Sequence, residues 1–225
     1  MTSVLLLFSG GLDSSTLLAK LIADKKRVHP VFMGYGQKHS RAEQAAALRV
    51  AGRYGVTGNI SYIDLPVLKD SGSALIDPTN EMPHRTYEEL QMEIGPSPTY
   101  VPFRNGIFLS YATALALMNH IDEVSLAVHA SDYSNWAYPD CSPEFIGPMS
   151  SAVYIGTYLK VRVTAPFLHM TKSEIVRLGT DLKVPYELTW SCYTGGIKPC
   201  RECPTCVERA HAFEENGLVD PLLVD

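Results

Sequence analysis

The stretch VLLLFSGGLDSSTLLAKLI, residues 4–22, determines how this chain is expected to fold. Its first five residues are apolar, which predicts a buried strand, and the residues after Ser15 repeat with the period of a helix. Two glycines and three serines lie between these segments. A strand that passes through such a turn into a helix is typical of α/β proteins, whose ligands bind at the carboxyl edge of the sheet.

The same alternation of short apolar runs and helical periods continues along the chain. It predicts strands at residues 4–8, 28–33, 60–65, 123–128 and 161–165, and helices at about 15–24, 41–54, 105–120, 143–159 and 172–182. Continuously apolar strands indicate a sheet that is covered on both faces. We therefore predict an α/β fold with a doubly wound, mostly parallel sheet. A nucleotide-binding domain is expected at residues 1–185, with a small zinc-binding and helical region at 186–225 packed on it.

Composition and charge exclude several classes of protein. The 225 residues are 46% hydrophobic, as in a globular protein, and 19 basic against 24 acidic residues give a net charge of −5. Without a basic run, duplex nucleic acid is not an expected partner. The longest apolar stretch, residues 106–118, is shorter than the roughly 18 residues that a membrane span needs. The first residues lack the features of a secretory signal, so a cytoplasmic protein is expected.

The residues that join the first strand to the first helix have the chemistry of an anion site. They are Ser9, Gly10, Gly11, Leu12, Asp13, Ser14 and Ser15. Glycines let the backbone approach a phosphate, serines offer hydroxyl donors, and a helix amino terminus supplies unpaired N–H groups. Neither G-x-x-x-x-G-K-[ST] nor G-x-G-x-x-G is present. The alternative is a turn in which Asp13 or Ser14 only caps the helix.

Four cysteines near the carboxyl end predict a metal site. Cys192, Cys200, Cys203 and Cys206 can supply four thiolates, which is the usual ligand set of a structural zinc ion. An iron–sulfur cluster or, in an oxidising compartment, disulfide pairing are the alternatives. Cys141 lies too far upstream to be an expected ligand.

Two loops are expected to lie near the ligand. Residues 66–103 form a long irregular segment with six prolines, and loops of this length are often functional lids. Residues 129–141 follow a predicted strand directly, so they should reach the carboxyl edge of the sheet.

The segment SGGLDSS, residues 9–15, resembles the pyrophosphate-binding loop of ATP pyrophosphatases, which adenylate a substrate and release pyrophosphate. Five further motifs follow in order: GYGQKH at 34–39, PTYVPFRN at 98–105, YPDCSPEF at 138–145, TWSCY at 189–193 and CRECPTC at 200–206. Together they resemble the 7-cyano-7-deazaguanine synthase family over nearly the whole chain.

This resemblance implies a reaction, cofactors and an assembly. The expected reaction converts 7-carboxy-7-deazaguanine, ammonia and ATP into the nitrile through an acyl adenylate and an amide, on the route to queuosine-type deazaguanines. Magnesium is expected at the phosphates, zinc in a structural role, and the chain in a homodimer. The loop from Ser9 to Ser15 is then expected to bind the ATP phosphates, with Asp13 also facing magnesium.

Cationic residues are candidates for the reacting groups. Arg104 can clamp phosphate or the substrate carboxylate with two hydrogen bonds, and the alternative is an exposed arginine at the entry of a helix. Lys172 matches the family's lysine before a Glu-Ile pair and can neutralise pyrophosphate, although such a lysine is often only solvated. Lys38 and His39 are similar candidates. With Asp13, Arg104 and Lys172 form the expected catalytic group.

The loop at residues 129–141 is expected to recognise the base. A guanine-like ring presents adjacent N–H donors that a carboxylate accepts in pairs, so Asp132 or Asp140 should bind it. Tyr133, Trp136 and Tyr138 are candidates for stacking on the ring. The alternative for each aromatic residue is packing against the protein's own core.

The sequence departs from the family's expected pattern at a few positions. Gly34 stands where an aspartate is expected, Ser142 replaces an arginine, Arg201 replaces a glycine, and residues 135–137 fill a segment that is often shorter. These changes leave open a divergent relative that stops at the amide or transfers the activated acid to another amine or protein. A non-enzymatic zinc-ribbon module that binds nucleic acid is a further alternative, which the acidic composition disfavours.

Overall fold

The computed structural model describes residues 1–86, 89 and 92–223. Its five strands are β1 (Ser3–Leu7), β2 (Arg27–Gly34), β3 (Ser61–Asp64), β4 (Glu123–Ser125) and β5 (Arg162–Thr164). The described residues form the α-helices α1 (Leu12–Ala23), α2 (Ser40–Arg53), α3 (Arg104–Met118), α4 (Ala130–Tyr133), α5 (Pro143–Gly156), α6 (Lys172–Asp181) and α7 (Pro204–Glu215). Short 3-10 turns occur at Thr57–Asn59, Pro66–Leu68, Ser134–Trp136, Pro139–Cys141 and Tyr186–Leu188.

The strands form one sheet in the order β3-β2-β1-β4-β5, and every neighbouring pair is parallel. The chain first builds outward from β1 through β2 to β3 and then returns to the other side of β1 with β4. This reversal opens a crevice between the carboxyl ends of β1 and β4, where open α/β sheets bind ligands. The predicted doubly wound, parallel fold is therefore confirmed.

Apolar side chains of β1 alternate between two cores, one on each face of the sheet. Leu5 packs in the core that α3 and α5 cover, whereas Val4 and Leu6 pack in the core that α1, α2, α6 and α7 cover. Because successive residues of a strand point to opposite faces, a strand buried on both sides must be apolar throughout. The continuous run VLLLF at residues 4–8 meets this requirement.

Several element boundaries differ from the prediction. Helix α1 begins at Leu12, so Asp13, Ser14 and Ser15 lie inside its first turn rather than before it. Strand β4 ends at Ser125, although the apolar run continues to Val128. Neither α4 nor the turn at Ser134–Trp136 was predicted, because the polar and aromatic residues there have no helical period. Helix α7 lies in the region predicted to be helical.

Within the part of the chain that is described, no helix is long and apolar enough to cross a membrane.

The loop after β1 approaches α2 so closely that residue 10 must be glycine. Gly10 has a φ of +77°, and a Cβ there would lie 2.3 Å from the backbone nitrogen of Ala47. Gly55 also has a positive φ, +69°, but a Cβ there would meet nothing within 4 Å. A substitution at Gly55 therefore tests the cost of backbone strain alone, whereas one at Gly10 tests strain together with steric overlap.

Gly10→Ala should lower the free energy of unfolding by about 2–5 kcal/mol, because left-handed strain and overlap with backbone atoms add. Gly55→Ala should cost only about 1 kcal/mol, from strain alone. Urea unfolding of both variants checks the difference. Equal losses would show that α2 can move away from the loop.

Candidate active site

A cavity of about 310 Å³ opens at the carboxyl edge of the sheet, at the crevice between β1 and β4. The loop after β1 supplies one wall, through Ser9 and residues 11–14. The segments after β2 and β4 supply others, and Lys172 of α6 reaches in beside them. The cysteine-containing region also contributes, through residues 190, 191 and 193 before α7 and Glu208 within it.

The amino terminus of α1 points its unpaired N–H groups at this cavity. Its N-cap is Gly11, which has no side chain to accept a hydrogen bond from the helix. Asp13 and Ser14 line the cavity instead of capping, so the capping alternative is wrong. The hydroxyls of Ser9 and Ser14 lie 3.2 Å apart, next to the free N–H groups. Such a terminus, with its partial positive charge, is suited to an anion.

The cavity wall beside this loop is a buried group of charges. Lys172 Nζ lies 3.1 Å from Asp13 Oδ2 and 3.2 Å from Glu208 Oε2. His129 Nε2 lies 3.2 Å from the same ammonium and 3.5 Å from Asp132 Oδ1. The backbone N–H of His129 also donates to Asp132. Four elements of the fold thus meet at the Lys172 ammonium.

The pKa values of these groups follow from burial and mutual attraction. Burial by itself would raise the pKa of Asp13, but the positive charges of Lys172 and His129 outweigh it, so that pKa lies below its ordinary value. Burial would lower the pKa of Lys172, but the carboxylates of Asp13 and Glu208 raise it well above the ordinary value. For Asp132 burial dominates, and its pKa is raised. Lys172 and Asp13 are therefore both charged at neutral pH.

The opposite end of the cavity is aromatic and holds one cation. Arg104 Nη1 donates to the hydroxyl of Tyr35 at 3.2 Å, and the guanidinium carbon lies 5.6 Å from that ring's centre and 5.8 Å from the ring of Phe108. Tyr138 and Tyr193 line the same cavity. Burial raises the pKa of Tyr35 to about 12, so its hydroxyl stays protonated. This end can receive a flat, polar ring that carries a negative group.

Not every residue predicted for the site reaches the cavity. Ser9, Gly11, Leu12, Asp13, Ser14, Arg104, Asp132 and Lys172 line it, whereas Gly10, Ser15, Lys38, Tyr133 and Asp140 do not. Gly10 shapes the loop, and Ser15 is fully buried with a hydroxyl that has no hydrogen-bond partner.

The three substrate contacts predicted at Lys38, Tyr133 and Asp140 need correction, because each side chain is held elsewhere. Lys38 donates to the carbonyl of Asn80, and Tyr133 donates to that of Leu168. The carboxylate of Asp140 accepts the backbone N–H of Asn105 at 2.8 Å, at the start of α3. Asp140 thus orients the helix that carries Arg104.

The aromatic candidates also differ in whether they reach the cavity. Tyr138 lines the cavity, but Trp136 is 61% exposed and does not. His39 lines it and lies against the ring of Tyr193, at 5.2 Å between ring centres. The long loop reaches the cavity through Glu93, Gly95 and Ser97, as its predicted role requires. The predicted loop also includes residues 87, 88, 90 and 91, which lie outside the described residues.

Sequence reasoning did not single out several lining residues. Tyr35 and Gln37 stand in the GYGQKH motif and Tyr193 in TWSCY, so the motifs contained the signal although the positions were not chosen. Glu43 and Glu208 lie on helices and had no signal, since an acidic residue on a helix is normally solvated.

Two departures from the family pattern have structural explanations. Ser142 is the N-cap of α5, and its hydroxyl accepts the N–H of Phe145 at 3.3 Å. Gly34 ends β2 opposite Asp64 of β3, and neither Gly34 nor Ser142 lines the cavity. These two positions therefore give no support to an altered substrate.

The four cysteine sulfurs predicted as ligands are brought together. The Sγ atoms of Cys192, Cys200, Cys203 and Cys206 all lie within 4.8 Å of one another, and none forms a disulfide. Tetrahedral ligands about 2.3 Å from a zinc ion would be roughly 3.8 Å apart, so the set fits such an ion. Cys141 lies apart, where it accepts a hydrogen bond from Asn105.

A buried arginine connects α7 with the segment before the cysteines. Arg209 and Asp220 are both 2% exposed in their side chains and form two hydrogen bonds of 2.6 and 2.8 Å. The same guanidinium donates to Thr189 and Ser191. Between these two residues, the N–H of Trp190 donates to the carbonyl of Gly10 at 3.0 Å. The carboxyl-terminal region is thereby attached to the loop after β1.

The chain matches the family model described as queuosine biosynthesis protein QueC over residues 3–217. It belongs to this family. It is 46% identical over 223 residues to 7-cyano-7-deazaguanine synthase of Archaeoglobus fulgidus, which covers 98% of this chain and 89% of that protein. It is 42% identical over 224 residues to the synthase of Trichodesmium erythraeum, with 97% and 98% covered. The resemblance and the enzyme class expected from the motifs are confirmed.

Solved structures agree on the fold. The chain is similar to a predicted subunit of tRNA methyltransferase from Methanocaldococcus jannaschii, with a TM-score of 0.50, 14% identity, and 100% and 93% of the two chains covered. It is also similar to NMN synthetase from Francisella tularensis, with a TM-score of 0.50, 13% identity, and 96% and 77% covered. At these identities the likeness concerns the architecture alone.

Proposed function

We propose that this QueC family member converts 7-carboxy-7-deazaguanine, ammonia and ATP into 7-cyano-7-deazaguanine, AMP and pyrophosphate. One observation carries the proposal: a single cavity joins an uncapped helix terminus beside Lys172 to an aromatic end that holds Arg104. The first half suits the phosphates of ATP, and the second suits a flat ring with a carboxylate.

The chemistry requires activation because a carboxylate has no good leaving group. A carboxylate oxygen of the acid attacks the α-phosphorus of ATP, which releases pyrophosphate and leaves an acyl adenylate. Ammonia attacks the carbonyl carbon, AMP leaves, and a proton is lost to give the amide. A second ATP adenylates the amide oxygen and releases pyrophosphate, and loss of AMP and of both protons from the nitrogen forms the nitrile.

The chain's own groups position and neutralise charge in this scheme. The N–H groups of α1 and the hydroxyls of Ser9 and Ser14 bind the phosphates, while Lys172 balances charge on the departing pyrophosphate. Arg104 binds the acid, with Tyr35 fixing its guanidinium. Asp132 lines the cavity and is the carboxyl proposed to bind the ring's N–H groups.

Magnesium fits beside Asp13. Asp13 Oδ1 is buried and accepts no hydrogen bond, and His129 Nε2 lies 3.7 Å from it, so this oxygen is the one that could hold the ion next to the phosphate loop. A bound magnesium ion supplies charge neutralisation on the phosphates.

The reaction can be tested with ATP, magnesium, ammonium and 7-carboxy-7-deazaguanine, with products resolved by mass spectrometry. The nitrile, AMP and pyrophosphate should form together, and each should depend on the acid. Accumulation of the amide, or transfer to another amine, would assign the divergent alternative. Absence of any AMP would overturn the proposal.

Replacing Ser9 and Ser14 by Ala should lower turnover by about 10²-fold or more, because both hydroxyls line the cavity beside the start of α1 and hydroxyl donors to a developing charge are worth this much. The fold should remain, since both side chains are small and α1 gains helix propensity. Ser110→Ala, on the exposed side of α3, is the matched control and should keep full turnover. Wild-type rates in the double variant would remove these serines from the phosphate site.

We propose that the four-cysteine site holds a structural zinc ion, because its sulfurs are close together and leave no ligand position for a substrate. The purified protein should contain about one zinc per chain, and Cys203→Ser should lose it and lower the melting temperature. Cys141→Ser should retain the zinc. Iron with a visible absorption band would instead show an iron–sulfur cluster.

The homodimer remains a proposal, and an uncharged surface supports it. Residues 105–118 of α3 contain no charged residue, and α5 has only Glu144. On these neighbouring helices Met118, Tyr111 and Ile155 are more than half exposed. Large exposed apolar side chains on adjacent uncharged helices are typical of a protein–protein contact.

Ile155→Asp should convert a dimer into a monomer in sedimentation velocity, because a charge would be buried against the partner. Val67→Asp, at a position that is equally exposed but lies on another face, should leave the dimer intact. A wild-type monomer would contradict the proposal. The cytoplasmic location and the division at residue 185 also remain predictions; finding the cysteines paired in disulfides in purified native protein would argue against the first.

A further inference from the structure

A second cavity, of about 290 Å³, lies on the far side of the ion pair between Lys172 and Glu208. It is lined by α4 and Ser134, the amino end of α6 and one face of α7, and it opens to solvent. Ser131, Ser134, Lys172 and Glu208 line both this cavity and the main one. The rear cavity, as we call it, therefore shares a wall of side chains with the place where the adenylate is proposed to form.

The charges around the rear cavity favour a small cation. Its lining includes the carboxylates of Glu208 and Glu215, the imidazole of His211 and the ammonium of Lys172. The ammonium is already compensated by Asp13 at 3.1 Å and by Glu208 at 3.2 Å. Glu215 adds a second carboxylate at the outer side, 3.4 Å from His211 Nε2. An anion entering here would meet an excess of negative charge.

The helix terminus at this cavity does not reverse that preference. Helix α6 begins here, and a free amino terminus would attract an anion. Thr171 instead accepts the N–H of Glu174, and the Glu174 carboxylate accepts the N–H of Thr171. The hydroxyl of Ser173 donates to Glu215. The Glu174 carboxylate therefore sits at this helix end and offsets part of its positive charge, and the Ser173 hydroxyl is engaged by Glu215.

The proposed reaction needs an entry for its smallest reactant. Ammonia must reach the carbonyl carbon after the adenylate has formed, when ATP-derived groups and the ring fill the main cavity. A route through the mouth of that cavity would pass the bound intermediate, which must not escape. The rear cavity ends at the Lys172–Glu208 pair, beside the phosphate loop.

We propose that the rear cavity binds ammonium at its outer side, where the ion gives up a proton to solvent, and is the route by which the resulting ammonia enters the site. This inference rests on the proposed function, because it assigns a place to one substrate of that reaction. Glu215 attracts the cation at the outer side, and the four shared side chains form the inner end.

Charge reversal at Glu215 tests this inference. Glu215→Lys should raise the KM for ammonium about 5- to 10-fold, since a cationic cleft repels the substrate that an anionic one concentrates. The KM values for ATP and for the acid should stay within twofold. Glu214→Lys makes the same change at the neighbouring exposed position of α7 and should leave all three values unchanged. Glu215→Gln, which keeps the shape, should give a smaller rise.

Pyrophosphate exchange and the ammonium KM together distinguish failure of the proposed function from failure of the entry route. If acid-dependent exchange of pyrophosphate into ATP is absent in the wild type, the proposed function fails. If exchange occurs but Glu215→Lys and Glu214→Lys have the same KM for ammonium, the entry route is overturned. A changed inhibition constant for pyrophosphate with an unchanged ammonium KM would also overturn it, and would assign the cavity to product release.

Discussion

The close contact of the loop after β1 with α2 is the constraint on which the site depends. Gly10 lies against the backbone of Ala47, and its carbonyl accepts the N–H of Trp190. The loop is thus held between two parts of the chain that are far apart in sequence. This fixes the direction in which α1 leaves the sheet, and so the direction in which its free N–H groups point. A more mobile loop would bind the ligand less tightly, because binding would have to order it.

The buried charges beside the loop follow from that geometry. Lys172 is 7% exposed, and an isolated ammonium with so little water would be costly. Asp13 from α1 and Glu208 from α7 compensate it, and against the effect of burial the ammonium in turn helps to hold the pKa of Asp13 below its ordinary value. The ammonium keeps its proton at neutral pH, yet Asp13 retains an oxygen without a hydrogen-bond partner. Removing Lys172 would leave two neighbouring carboxylates without their shared cation.

The fold could be predicted because local patterns determined it. The run at residues 4–8 is apolar throughout, which is only stable in a sheet covered on both faces, and the strand positions followed. The charged wall could not be predicted in the same way. Lys172 was chosen from a motif, but its partner Glu208 lies 36 residues later, on a helix whose sequence gives no sign of what it faces. Asp140 was predicted to bind the substrate. Its carboxylate instead accepts the N–H of Asn105 at the start of α3, a tertiary contact that the local sequence does not reveal.

The cysteine-containing region contacts the site through residues other than its four cysteines. Cys203 precedes α7, and α7 carries both Glu208 and Arg209. Glu208 reaches Lys172, while Arg209 holds the segment whose Trp190 binds Gly10. A metal that fixes the start of α7 thus fixes two contacts of the phosphate loop at once. The region has no need of an open metal position, because its contribution is to the arrangement of charge around the loop.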